Sequence, residues 1–344
     1  MKNRNAFIIL MFFAWVFQLK ADDLKLKDYV KKEAEKAAKE NKMLVIEFWA
    51  PSCNPCMALK RDIFENKLQV ELIHKYFSVL PFSPADSIYK PLFSFYNLEF
   101  QSSIIYVDKQ GNEIDRTIGY NGDRDIYMGL MQEILKGRNV YTDVLREYNK
   151  DSLNLQNCFI MAKKLASRYE YDEASRLFNK ILLADPADRQ GMRIESLYNV
   201  AEIEFIKTGS LKKMREFIEL VTKNYFAPKA YVYLINDLIN KKNKSECISI
   251  CESGLKNYPN SWEILNKYAW AICSFKIKDQ YPKALSLVQK SISINPSRPG
   301  THSTESWIYF EMGDKQKAIE SVKRAIDLFP DRGFLQDLKT FEAK

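Results

Sequence analysis

Histidine is almost missing: the 344 residues hold only His74 and His302. That scarcity excludes a poly-histidine metal site and any repeated Ser-His-Asp machinery. Glycine (11) and proline (12) are also sparse, which leaves little room for long flexible linkers and favours helix. The longest apolar run, Ala6–Phe17, makes only ~18 Å of helix against a hydrocarbon core of ~30 Å. What is present, 46% hydrophobic and 28% charged residues, belongs to a folded soluble chain. It excludes a disordered polymer, a collagen-like repeat and a multi-span membrane protein. At this length a single small core does not suffice, so two domains are expected. The net charge of +8 is spread along the chain and predicts a solvated surface, with no nucleic-acid partner.

Residues 1–21 begin with basic residues, continue through the apolar run and end in a short polar exit at Ala21. This three-part pattern predicts a signal peptide over 1–21. Lys2, Arg4 and Lys20 fall within it, which leaves the mature chain at about +5. An uncleaved leader would act instead as a membrane anchor. Either way the protein is expected outside the cytoplasm, where disulfide chemistry is allowed. A bacterial periplasm fits better than an endoplasmic reticulum, because the final Phe-Glu-Ala-Lys is no retention signal.

Leu24–Lys42 has a Lys/Glu/Ala-rich helical pattern, and Met43–Trp49 is an apolar run suited to a strand buried on both faces. Then follows Cys53-Asn54-Pro55-Cys56, opening a helical stretch to about Glu65. At a strand-to-helix junction the first thiol meets unpaired N–H groups and the positive end of the helix dipole, which favour thiolate. The second thiol lies one turn along and can close a disulfide that releases a partner. Pro55 suits the first turn, where its missing N–H costs nothing. Two other readings stay open: an inert structural disulfide, or half of a zinc site, although a second Cys pair at ligand spacing is missing. His74, in the amphipathic stretch Leu68–Tyr76, reads as a surface or packing residue.

Over roughly residues 24–138 the chain resembles the thioredoxin superfamily, and within it the thioredoxin-like domain of periplasmic thiol:disulfide interchange proteins. The likeness rests on Glu47-Phe48-Trp49-Ala50 before Cys53, on the Cys-Asn-Pro-Cys itself, and on Phe64 and Val70. It continues through Ile104–Val107, the turn Asp108–Gly111 and Arg116–Tyr120. The resemblance implies an α/β thioredoxin-like domain over 22–140, with Cys53 as attacking thiol and Cys56 as buried resolving thiol. Glu47 takes the buried-carboxylate position that moves protons to and from Cys56, a task that a pKa raised by burial would suit. Two departures stand out. Ser52 replaces the Trp expected before the first Cys. Ser102 falls where the family has a cis-proline in the loop that pairs with the substrate backbone. A non-proline cis bond costs ~3–4 kcal/mol, so Ser102 is expected to be trans. Restoring proline there is expected to raise turnover.

From about Asn149 onward the pattern is helical throughout. A small residue, an apolar residue four places on and a proline eight further recur as Ala174/Phe178/Pro186, Cys247/Cys251/Pro259, Ala284/Val288/Pro296 and Ala318/Val322/Pro330. Met214/Ile218/Phe226 keeps the spacing without the proline. The intervals resemble the second helix of a tetratricopeptide (TPR) repeat. About five copies, starting near Leu155, Glu195, Pro228, Trp262 and Pro299, are expected over 150–344, with Phe334–Lys344 as a cap. The expected fold class is therefore an α/β thioredoxin-like fold plus an all-α tetratricopeptide-repeat solenoid. Such repeats imply a groove that binds a peptide or partner protein. Cys247 and Cys251 take core positions, and Cys158 and Cys273 fall in apolar first-helix stretches, so all four read as buried small hydrophobes.

The leading expectation is an extracytoplasmic thiol:disulfide oxidoreductase with a TPR partner-binding module. Its partners would be proteins bearing disulfides or thiols, a peptide or protein in the TPR groove, and a membrane electron donor; no cofactor or metal is expected. The rival is a non-catalytic interaction scaffold with a degenerate thioredoxin-like domain.

Overall fold

The computed structural model describes residues 23–343 except 68, 121 and 222. The expected signal peptide, 1–21, lies outside the described residues, as does Lys344. The chain divides into two compact units, the first ending at Tyr169 and the second running from Glu170. No helix among the described residues is long and apolar enough to cross a membrane.

The first unit opens with helix α1 (23–39) and strand β1 (Met43–Phe48). Helix α2 (Asn54–Leu59) runs on through a π turn (Lys60–Phe64) to α3 (Val70–Tyr76) and β2 (Phe77–Phe82). Then come α4 (Tyr89–Phe95), β3 (Ser103–Val107), β4 (Glu113–Ile118), α5 (Arg124–Leu135), α6 (Tyr141–Lys150) and α7 (Leu155–Ser167). The sheet order is β2-β1-β3-β4: β1 pairs parallel with β2 and antiparallel with β3, and β3 antiparallel with β4.

Both faces of β1 are buried, which explains why its sequence is almost continuously apolar. Leu44, Ile46 and Phe48 join Val30, Ala34 and Ala37 of α1 and Tyr89 and Leu92 of α4 in one core. Val45 points the other way, into a second core with Leu59 and Ile63 of the Cys-bearing helix and Tyr127, Met128 and Met131 of α5. Strand β2 carries no apolar alternation of its own, so its residue pattern does not announce it. It lies at a sheet edge, where Pro81 can sit opposite Glu47. The turn after β3 needs Gly111, whose φ is +84°; a Cβ there would lie 2.7 Å from the Lys31 backbone of α1.

Helix α6 packs on β4, and α7 is fastened to the same strand by two charged pairs. Lys164 Nζ lies 2.6 Å from Asp115 Oδ2, and Arg168 2.8 Å from Glu113, which also takes Arg116 at 2.6 Å. Asp115 is fully buried, and Lys164 is the cation that pairs with it there.

The second unit is helical. Its helices are α8 (Tyr171–Ala184), α9 (Arg193–Thr208), α10 (Lys212–Leu220), α11 (Ala227–Asn240), α12 (Lys244–Asn257), α13 (Trp262–Ser274), α14 (Tyr281–Ile294), α15 (Pro299–Glu311), α16 (Lys315–Leu328) and α17 (Arg332–Ala343). The spacing seen in the sequence lands on the second helix of each pair. Ala174, Cys247, Ala284 and Ala318 are fully buried, as are Phe178, Cys251, Val288 and Val322. Asn243, Ser261 and Asp314 cap α12, α13 and α16 through their side chains. Phe341 of α17 closes the array against Trp307 and Phe310.

Candidate functional site

Cys53 and Cys56 form a disulfide, with Cα atoms 5.3 Å apart. Cys53 is the N-cap of α2, and its sulfur accepts the Cys56 backbone N–H at 3.2 Å. The cap carbonyl accepts the first intrahelical bond, from Met57 N–H at 3.1 Å. Cys53 is half-buried and Pro55 exposed, whereas Cys56 is buried. This asymmetry suits a thiol that meets partners and a second thiol that meets only the first. The other four cysteines are free and buried. Burial pushes the Cys273 thiol up to about 12. Among the described residues no group of three or more His, Cys, Asp or Glu could hold a metal ion.

Glu47 lies on a central strand, paired on one side with Pro81 and on the other with Ile104. Strand alternation sends its side chain to the face that carries α2 and α5. It is 5% exposed, and its Oε1 has no hydrogen-bond partner. Burial raises its pKa to about 7; Lys60 works against the shift and Glu65 with it. Lys60 is itself held, 3.3 Å from Glu65 and 4.8 Å from the Trp49 ring centroid. A carboxyl group that is half ionised near neutral pH, on the face of the Cys helix, can both give and take a proton.

Ser102 enters β3. No peptide bond among the described residues is cis, and Ser102 has φ +64°. Its N–H donates to Phe48 O at 3.0 Å, and its carbonyl accepts from Gly119 N–H at 2.8 Å. Proline would remove the first bond and cannot adopt this φ, so Ser102→Pro would not keep this loop as it stands.

A cleft of about 520 Å³ opens beside Pro55, lined also by Thr117, Gly119, Tyr120, Tyr127, Lys164 and Tyr169. Tyr127, which lines the cleft, hydrogen-bonds Thr117 at 2.8 Å. Tyr120 donates to Asp62 Oδ2 at 3.0 Å. Sequence reasoning missed this cleft, because Lys164 and Tyr169 reach it from far along the chain. One signal was available: Tyr169 is a bulky aromatic at a helix end where the corresponding ends carry Gly209, Lys242, Lys276 and Gly313.

In the second unit a groove of about 450 Å³ runs over first helices α9, α11 and α13. Tyr198 and Tyr233 both donate to Glu202 Oε1, at 2.8 and 2.9 Å, and Lys229, Asn236 and Glu263 complete the lining.

Residues 30–134 match the model of a thioredoxin-like domain, and residues 304–332 that of a tetratricopeptide repeat. The thioredoxin-like match thus falls in the first unit and the repeat match in the second. Among solved structures, it is similar to YrrB, described as a TPR protein with an unusual peptide-binding site. That match is 14% identical, covers 57% of this chain and 97% of the other, and has a TM-score of 0.40. The thermophilic TPR protein TTC0263 of Thermus thermophilus is 18% identical over 55% of this chain and 98% of its own, with a TM-score of 0.38. Yeast Tom70 is 15% identical over 59% and 42%, with a TM-score of 0.46. No curated protein matches the sequence.

Proposed function

We propose that the protein is an extracytoplasmic thiol:disulfide oxidoreductase whose repeats hold a peptide or protein partner. The observation that carries this reading is the Cys53–Cys56 disulfide at the start of α2, with a half-buried outer sulfur, a buried inner one and the buried Glu47 carboxyl, of raised pKa, on the same face. In the reduced protein, Cys53 thiolate attacks a partner disulfide. A Cys53–partner bond forms, and the partner's S–S bond breaks to release one thiolate. Cys56 gives up its proton, with Glu47 as acceptor, and attacks the Cys53 sulfur. The second partner thiol leaves, and two electrons have passed from the protein dithiol to the partner. Starting from the disulfide, the same steps run backwards and oxidise a partner dithiol.

The groove around Glu202, Tyr198 and Tyr233 is the surface on which a peptide would be held. The proposed periplasmic location rests on the leader-like sequence of residues 1–21, and a membrane electron donor is the kind of partner that would reset the disulfide there.

One observation favours the scaffold reading: the Ser102 N–H is committed to Phe48, so that residue donates no main-chain hydrogen bond to a substrate. Cys56→Ser decides between the two readings. It removes the resolving thiol, so an oxidoreductase accumulates covalent adducts through Cys53 that reducing agent releases. A folded Cys56→Ser protein that traps nothing in its own compartment supports the scaffold.

A further inference from the structure

Tyr169 follows α7 with φ +65°. The first helices of all five repeats end this way, at Tyr169, Gly209, Lys242, Lys276 and Gly313. Glycine adopts this conformation freely, and a solvated lysine tolerates it; a bulky aromatic is the outlier. The ring is held in place from several sides. It lies 4.5 Å from the Phe100 ring, in the loop that leads into Ser102. Its hydroxyl stands over Gly119, 4.0 Å from where a Cβ would be, and Gly119 N–H is bonded to Ser102 O. Helix α7 is itself fixed to β4 through the Lys164–Asp115 and Arg168–Glu113 pairs. The ring therefore forms one wall of the cleft whose other wall includes Pro55, between the two reacting cysteines.

The cleft has a distinct chemistry. Its charged side chains are committed at the back, Lys164 to Asp115 and Arg116 to Glu113. Its mouth carries Ile126 and Leu130, which are 66% and 39% exposed, beside Tyr120 and Tyr169. Large apolar side chains left in water around a cavity mark a surface that takes an apolar group. We propose that Tyr169 is a specificity-determining residue of the thiol-exchange site, selecting partner segments that carry an aromatic residue next to the reacting cysteine. The proposal rests on the oxidoreductase reading and names its substrate class.

The test uses the full-length protein, reduced and then freed of reductant. Two synthetic peptides are compared, each with one intramolecular disulfide and differing only in Phe or Gly beside the first cysteine. In a single turnover Cys53 bonds to one peptide sulfur as the peptide disulfide breaks, and Cys56 then displaces it. The peptide leaves as a dithiol and the protein as the Cys53–Cys56 disulfide, two electrons having been transferred. Quenching by alkylation and mass spectrometry gives both rates. The wild type should reduce the Phe peptide about five-fold faster, about 1 kcal/mol at 1.4 kcal/mol per tenfold, as for one aromatic contact. Tyr169→Gly, which suits the backbone at φ +65°, should bring the ratio to about one, and Tyr169→Phe should keep it. A wild-type ratio of one overturns the proposal. So does a ratio that survives Tyr169→Gly, or a Tyr169→Gly protein that loses both rates alike. A wild type that reduces glutathione disulfide but neither peptide overturns it too, whereas failure on glutathione disulfide as well refutes the oxidoreductase reading itself.

Discussion

Glu47 has to be ionised to accept a proton and neutral to donate one, and its burial places the changeover near pH 7. The same shift is a stability statement. The folded pKa is about 7 against an ordinary value of 4.5, so the folded state holds a proton that the unfolded state releases. This contribution is fully present below pH 4.5 and is lost as pH rises through about 7. It amounts to about 3 kcal/mol at 1.36 kcal/mol per pKa unit. Urea unfolding should show Glu47→Gln gaining about that much on the wild type between pH 4.5 and 8; parallel curves would contradict a buried titrating carboxyl. Ser102 supports a second prediction. Ser102→Pro should destabilise the fold by at least about 2 kcal/mol through the lost Phe48 bond and the forced φ, and should lower insulin reduction. A stable, faster Ser102→Pro variant would mean that this loop rearranges freely. Both residues were legible in the sequence, Glu47 by its distance from Cys53 and Ser102 by its register from Gly111. The φ of Ser102 was not, because it follows from two backbone bonds to residues distant in sequence, Phe48 and Gly119.

Among the elements, β1, β3, the Cys-bearing helix and the repeat helices announce themselves, since each carries its burial in its own residue pattern. Strand β2 does not: it is an edge strand with Ser78 and Pro81, and its place is decided by pairing with β1. The attachment of α7 to β4 was equally hidden, because Lys164 and Asp115 are ordinary charged residues until the fold brings them within 2.6 Å. That pair has a measurable consequence. Lys164→Ala leaves a fully buried carboxylate without its cation and should cost about 3 kcal/mol, the penalty for breaking a buried ion pair. Combining Lys164→Met with Asp115→Asn should recover most of the loss, because the unpaired charge is then gone. Equal losses in the single and double variants would show that packing of the Lys164 stem, not charge, holds α7.

At the scale of the whole molecule, two kinds of periodicity made the architecture readable. Strand and motif spacing identify the thioredoxin-like part, and the four-plus-eight spacing of Ala174, Cys247, Ala284 and Ala318 identifies the repeats. The unit boundary was less visible, since it falls at Tyr169, inside the first repeat, where α7 belongs with the sheet and α8 with the helices. A thioredoxin-like domain and a repeat-bearing helical unit thus share one chain, and the proposed thiol exchange belongs to the first. It is tested most directly by equilibrating the mature full-length protein in thiol–disulfide buffers of graded potential, quenching with acid, alkylating, and reading Cys53 and Cys56 by mass. An oxidoreductase gives one two-electron titration curve, the same whether approached from the oxidised or the reduced protein. A pair that stays oxidised until the protein unfolds, or that does not re-form once reduced, would contradict it.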